Sequence, residues 1–220
     1  MNLTVFAGPD PGMNIEELFR RTPFAGVSMC AVVPDFRSAA AMERRIARAG
    51  AGAALSHRVY TFDGLARAIL FLGTYRPGLI TGHVKRALIT EIVRSRLGRQ
   101  SKYAEVAETR GFIRAVESLL EETRSEHGDI YIEDEFIPVA KAYESHLGRL
   151  GVTDHEGLLH AVLSSPKLIG AFADSCSGPL VVDGFYDLTG NQFSLLEQLM
   201  RVVRRSSVAL VTDESRPELF

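Results

Sequence analysis

The sequence predicts an α/β fold in which a parallel sheet covered by helices is interrupted by an all-helical insertion. Three observations carry this reading. Short apolar runs rich in β-branched residues recur along the chain, and most are nearly continuous rather than alternating, as in strands covered on both faces. Helical patterns fall between them, which argues for a sheet built with right-handed crossovers. Strand signal then all but vanishes from Phe62 to about Leu163, where amphipathic patterns take over.

The elements follow in order. Leu3–Ala7 reads as the first strand and runs into the turn "GPDPGMN", with a helical pattern after it. Val27–Val33 is the second strand, followed by a helix over Phe36–Ala49 with Asp35 or Ser38 available as its cap. Val59–Phe62 is the third strand; Thr61 and Phe62 end it, and Leu65, Ala66, Ile69 and Leu70 begin an amphipathic helix. Three apolar stripes then mark helices: Val84, Leu88, Ile92 and Val93; Phe112, Val116, Leu119 and Leu120; Val139, Tyr143 and Leu147. Strands return at Leu180–Val182 and Val208–Val211. The helix between them, Gln192–Val203, has Phe193, Leu196, Leu199, Met200 and Val203 at helical spacing. The expected division is therefore an α/β core of residues 1–62 and 164–220, with a helical insertion at 63–163.

With 220 residues, 46% of them hydrophobic, the chain can bury one sizeable core with a small subdomain. A formal charge of −2 gives the whole molecule no strong preference for nucleic acid. Cys30 and Cys176 are far apart and lack metal-ligand spacing; they read as reduced, buried thiols rather than a disulfide. Asp10, Glu16 and Glu17 break any leader-like apolar run, and no stretch is long and apolar enough to span a bilayer, so a cytoplasmic protein with no membrane partner is expected. The ending "TDESRPELF" follows a strand with no capping element and suggests the N-terminal piece of a longer chain. Within the helical block, Lys85, Arg86, Arg94, Arg96 and Arg99 stand against the single acid Glu91, while Glu105 to Glu135 is mainly acidic. Such a pattern reads first as oppositely charged helix faces packing together, and second as a basic face for phosphates.

Three stretches carry candidate chemistry. A working phosphate loop reads GxxxxGK[ST], with backbone N–H groups, a lysine and a hydroxyl each holding part of the phosphate–magnesium group. Here Gly8 and Gly12 are one residue too close. Met13 supplies no charge, and Asn14 is a poor substitute for the hydroxyl. Pro9 and Pro11 donate no N–H, and Asp10 repels phosphate. On residues alone this is a strand–turn–helix joint. In "PLVVDGFYDLTGNQ", an apolar strand ends in Asp183, the form of a carboxylate that orients magnesium and water, although Gly184 stands where an active motor usually has glutamate. "VYTFDGLARAIL" is in isolation a strand–helix joint.

In this order, with "VVPDFRSAAAMERRI" and its Arg37, Arg44, Arg45 and Arg48 between the first and third, the stretches resemble the N-terminal motor core of UvrD-like superfamily 1 helicases. Within that group the chain is most similar to the N-terminal region of the B subunit of AddAB-type (RexAB) helicase–nucleases. There "YIDGF", a helix and a strand ending near "TxD" look much like "VVDGFYDLTGNQFSLLEQLMRVVRRSSVALVTDES". "VVPDFRSAAAMERRI" is similar to the family's "VPEQ" segment, and "GFIRAVESLLEE" and "VTDHEGLLHAVL" to its helical insertion. The resemblance covers essentially the whole chain.

It implies a RecA-like P-loop NTPase core and a role in processing broken DNA ends and recombination repair, as the second subunit of a helicase–nuclease. The implied partners are DNA, as single strand or duplex end, and a helicase–nuclease A subunit. Gly8, Gly12, Met13, Asn14 and Asp183 become a degenerate nucleotide site, with Asp183 a weak magnesium ligand through the nucleotide. Many members keep a GxxGSGKS-like loop; Met13 in the lysine position argues against turnover of ATP, and no cofactor is assigned with certainty. Arg37, Thr61 and Phe62 become candidate contacts to single-stranded DNA, joined by Arg94 and Arg96 of the basic block. The family's nuclease domain and iron–sulfur cluster cannot lie in these residues. Two other readings stay open: a true ATPase that binds phosphate through the N–H groups of residues 12–15 with Asp183 on magnesium, and a pure protein-interaction domain.

Overall fold

The computed structural model describes residues 2–8, 29–48, 58–97, 101–125, 132–176 and 178–211. The chain divides into two compact units: residues 1–74, 162–188 and 192–220 form the first, and residues 75–161 with 189–191 form the second. The division falls at 74–75 rather than at 62–63 because the helix that opens at Phe62 packs on the third strand and on a later helix of the first unit.

The first unit is built on one five-stranded sheet: β1 (Asn2–Gly8), β2 (Cys30–Val32), β3 (Arg58–Tyr60), β6 (Leu180–Asp183) and β7 (Arg205–Val211). All pairings are parallel and the order is β1-β7-β6-β2-β3. The five apolar runs thus lie side by side. The two continuous ones, Cys30–Val33 and Leu180–Asp183, are fully buried and occupy the middle, as strands covered on both faces must. β1 is an edge strand, and Leu3 and Val5 are exposed there. Helix α1 (Phe36–Arg48) lays Met42 and Ile46 against Met29, Ala31, Val33 and Val181. Of its two candidate caps Asp35 is used: the Ser38 N–H donates to Asp35 Oδ1 at 2.8 Å. Helix α2 (Phe62–Leu70) buries Leu65, Ala66, Ile69 and Leu70 as its pattern requires.

Two sequence expectations change here, and a third falls partly outside the described residues. The third strand stops at Tyr60, since Thr61 Oγ1 accepts the Gly64 N–H at 3.2 Å and so caps α2, making Phe62 the first helical residue. In α8 (Gly190–Val202), Phe193 is exposed, and Leu195 is buried alongside Leu196 and Leu199. Val27 and Ser28 of the second strand, and Ala49 at the end of its helix, lie outside the described residues.

The second unit is mainly helical: α3 (Gly82–Arg96), α4 (Arg110–Ser125), α5 (Ile137–Leu150) and the start of α6 (His155–Leu163), while α7 (Pro166–Ser175) belongs to the first unit. It is not all-helical. β4 (Gly78–Leu79) pairs in parallel with β5 (Val152–Thr153), a ladder too short to leave a period-two signal in the sequence. Its core joins Ile89, Ile92 and Val93 of α3 to Ile113, Val116 and Leu120 of α4 and Val139, Tyr143 and Leu147 of α5. Val84, expected on the buried stripe, is exposed, whereas its neighbour Lys85 is buried. Helix α5 ends at Gly151 with φ of 64°, a left-handed cap in which an added Cβ would meet nothing within 4 Å. Backbone strain is then the only cost of a side chain, and Gly151→Ala is expected to destabilise this unit by about 1 kcal/mol in urea unfolding.

Lys85 can be buried because Asp154 anchors a closed charge network. Arg124 Nη1 lies 2.6 Å from each Asp154 oxygen, the Tyr143 hydroxyl donates to Asp154 Oδ2 at 2.8 Å, and the Gly157 N–H donates to Oδ1 at 3.0 Å. Lys85 Nζ sits 3.4 Å from Asp154 Oδ2 and 2.8 Å from Glu121 Oε1. Arg124 Nε holds Glu144 at 2.8 Å, and Asn191 Nδ2 donates to the Arg124 carbonyl at 2.6 Å. Among the described residues, no helix is long and apolar enough to cross a membrane.

Candidate functional site

In an open parallel sheet, ligands bind outside the carboxyl ends of the strands, where neighbouring strands send their connections in opposite directions. The order β1-β7-β6-β2-β3 has such a point between β2 and β6: the chain leaves β2 through α1 for β3 on one side, and leaves β6 through α8 for β7 on the other. A cleft of about 410 Å³ opens at that end of the first unit.

Most of the wall comes from residues just past a strand, with Gln192 of α8 completing it. After β2 come Pro34, Asp35 and Phe36; after β3, Thr61, Phe62 and Asp63; after β6, Phe185 and Asp187. The Phe62 and Phe185 rings meet edge-on, 5.2 Å between centroids. Phe62 is thereby buried, and no face of it is free to stack on a base. The Thr61 hydroxyl is engaged in its cap. The free aromatic face belongs to Phe36, 84% exposed at the start of α1, and Arg37 beside it is also exposed. Sequence reasoning found Thr61, Phe62 and Arg37 but passed over Phe36 and Phe185. The signal was present in "PDF" and "DGF", an aromatic three residues past the end of an apolar run.

Acids complete the rim. The Ser38 N–H holds the Asp35 carboxyl below the usual carboxylate range against slight desolvation, and the Leu188 N–H donates to Asp187 Oδ1 at 2.8 Å. Asp35, Asp63 and Asp187 in one cleft do not fit a polyphosphate, which they would repel at close range.

The degenerate nucleotide site is divided by what is described. Gly8 closes β1 and pairs with Val211, and Asp183 closes β6 and pairs with Ala209, so both end at the carboxyl edge on either side of β7. Gly12, Met13 and Asn14 lie outside the described residues. Asp183 is buried, and burial pushes its carboxyl up while Arg45, 3.9 Å away, and the Gly184 N–H pull it partly back. Gly184 turns the chain off the strand with φ of 83°, close enough to Pro34 that a Cβ would lie 3.4 Å from its ring. Among the described residues no three His, Cys, Asp or Glu side chains come together to hold a metal.

Arg94 and Arg96 belong to the second unit and are not part of this cleft. Opposite charges pair across that unit: Arg86 with Glu117 at 2.9 Å, Lys85 with Glu121, and Arg94 with Glu108 at 3.3 Å. Arg94 is thus engaged, though in an exposed pair that contributes little. Arg96 is exposed and lines a separate cavity of about 330 Å³ with Lys141.

The two cysteines, distant in sequence, are neighbours in the first unit. Both are free thiols, Cys30 buried and Cys176 partly exposed, and each shifts the other's ionisation, Cys30 upward and Cys176 downward. No protein-family model and no curated protein matches the chain.

Proposed function

We propose that this chain is a motor-like DNA-holding core that does not turn over ATP, the N-terminal part of a helicase–nuclease subunit acting on broken DNA ends beside a partner A subunit. The observation that carries the reading is the cleft at the β2–β6 switch point, where the segments of the motifs "VVPDF", "YTFDG" and "VVDGF" converge. The five-stranded parallel sheet, with Gly8 and Asp183 ending at one edge, supports a RecA-like plan.

The cleft's chemistry suits unpaired bases better than phosphates. Phe36 offers an aromatic face for stacking, and carboxylates accept hydrogen bonds from base amino groups. The backbone of a single strand would then follow the outer side of α1, where Arg37 is exposed. Fluorescence anisotropy of a labelled single-stranded oligonucleotide tests this. Saturable binding that weakens as salt rises is expected, with a slope of about −0.7 per phosphate contacted. No binding at low salt, either alone or with a partner subunit present, would refute it.

A further inference from the structure

We propose that Cys30 and Cys176 form an oxidisable dithiol, with Cys176 the thiol that meets a peroxide and Cys30 the one that resolves it into a disulfide. The site lies at the amino-terminal edge of the sheet, at the opposite end of the strands from Asp183, and is independent of the DNA-holding reading.

Register brings the pair together. Cys30 opens β2, with Arg58 of β3 and Leu180 of β6 as its neighbours across the sheet, and its N–H donates to the Pro179 carbonyl at 3.1 Å. Cys176 ends α7, four residues before Leu180. Arg58 Nη1 donates to Ser175 Oγ at 3.4 Å, which brings a guanidinium to the residue preceding Cys176. The register and the Arg58–Ser175 bond set the two cysteines in one corner of the sheet, and there Cys30, Ser175 and Arg58 outweigh burial and bring the Cys176 thiol down to about 7, while Cys176 and burial hold Cys30 well up. A partly exposed, acidified thiol near an arginine, with a buried thiol nearby, is the division of labour that peroxide oxidation needs.

The steps balance. The Cys176 thiolate attacks one oxygen of hydrogen peroxide, the O–O bond breaks, and the departing hydroxide takes a proton to become water, leaving Cys176 as a sulfenic acid. Cys30 then gives its proton to the sulfenic oxygen and its sulfur bonds to Cys176 Sγ as a second water leaves. The two thiols lose two electrons and the peroxide gains them. The new bond would tie the start of β2 to the end of α7, closing a loop that contains residues 75–161 of the second unit.

The test uses the full chain. After exposure to equimolar hydrogen peroxide, mass spectrometry should show loss of two hydrogens and a proteolytic fragment joining Cys30 to Cys176. Denatured protein should then take up no alkylating reagent until reduced. Cys30→Ser should instead accumulate a sulfenic acid that a dione reagent traps on Cys176, and Cys176→Ser should leave Cys30 alkylatable. Two thiols still alkylatable in the oxidised wild type would overturn the proposal, as would disulfides formed only between chains; the wild-type mapping decides the matter even if a variant fails to fold.

Discussion

Asp154→Ala is expected to lower the stability of the helical unit by about 3–5 kcal/mol, enough to leave it largely unfolded at 37 °C. The reason is what the substitution leaves behind. Asp154 is 1% exposed, and Lys85 is nearly as buried, so removing the carboxylate strands a buried ammonium that retains only Glu121. Arg124 loses its two short bonds and the Tyr143 hydroxyl loses its acceptor. The same network predicts a pH dependence. Burial pushes the Asp154 carboxyl up, but Arg124, the Gly157 N–H, Lys85 and Tyr143 together outweigh it and hold it below the ordinary value. A carboxyl lowered in the folded state contributes stability that is full above its unfolded pKa, about 3.9, and is lost as pH falls through the folded value. Urea midpoints of the wild type should therefore fall steeply below about pH 4, while those of Asp154→Ala should fall less. Gly157 is part of the same device: a Cβ there would collide with Thr153 and Arg124, so the chain must pass that point without a side chain.

Phe36→Ala is expected to weaken single-stranded DNA binding by about 1–3 kcal/mol, roughly 5- to 150-fold, while leaving stability within about 0.5 kcal/mol. The two effects separate because the ring is 84% exposed and contributes little to the core. Phe62→Ala should do the reverse at the level of the fold: its ring is buried against Phe185, so truncation costs about 3 kcal/mol of stability and would weaken binding only by loosening the cleft. A Phe36 variant that binds as tightly as the wild type would remove the stacking surface from the account.

The sheet was legible because strands buried on both faces cannot hide: Cys30–Val33 and Leu180–Val182 are apolar without interruption, and they lie in the interior strands β2 and β6. The strand–helix joint at Thr61 was misplaced by two residues, since a threonine fits a strand and a helix cap equally well and only the Gly64 hydrogen bond decides. Lys85 was read as surface charge because periodicity assigns faces by polarity, and a buried cation is permitted only by partners as far along the chain as Glu121 and Asp154. Cys30 and Cys176 looked unrelated for the same reason: their proximity comes from the pairing of β2 with β6, a property of topology rather than of local sequence. Phe36 was missed as a contact residue because an aromatic opening an amphipathic helix reads as core, whereas the buried face of this helix is carried by Met42 and Ile46 and Phe36 is exposed.

Equilibrium binding of labelled ATP with magnesium to the wild-type chain, alongside Asp183→Ala, tests most directly whether this carboxyl edge holds nucleic acid without working as a nucleotide motor. The account predicts no saturable binding in the micromolar range for either protein, because the edge carries carboxylates and Met13 supplies no charge. Micromolar affinity in the wild type that disappears in Asp183→Ala would contradict it, and would make the chain an ATPase with a variant loop.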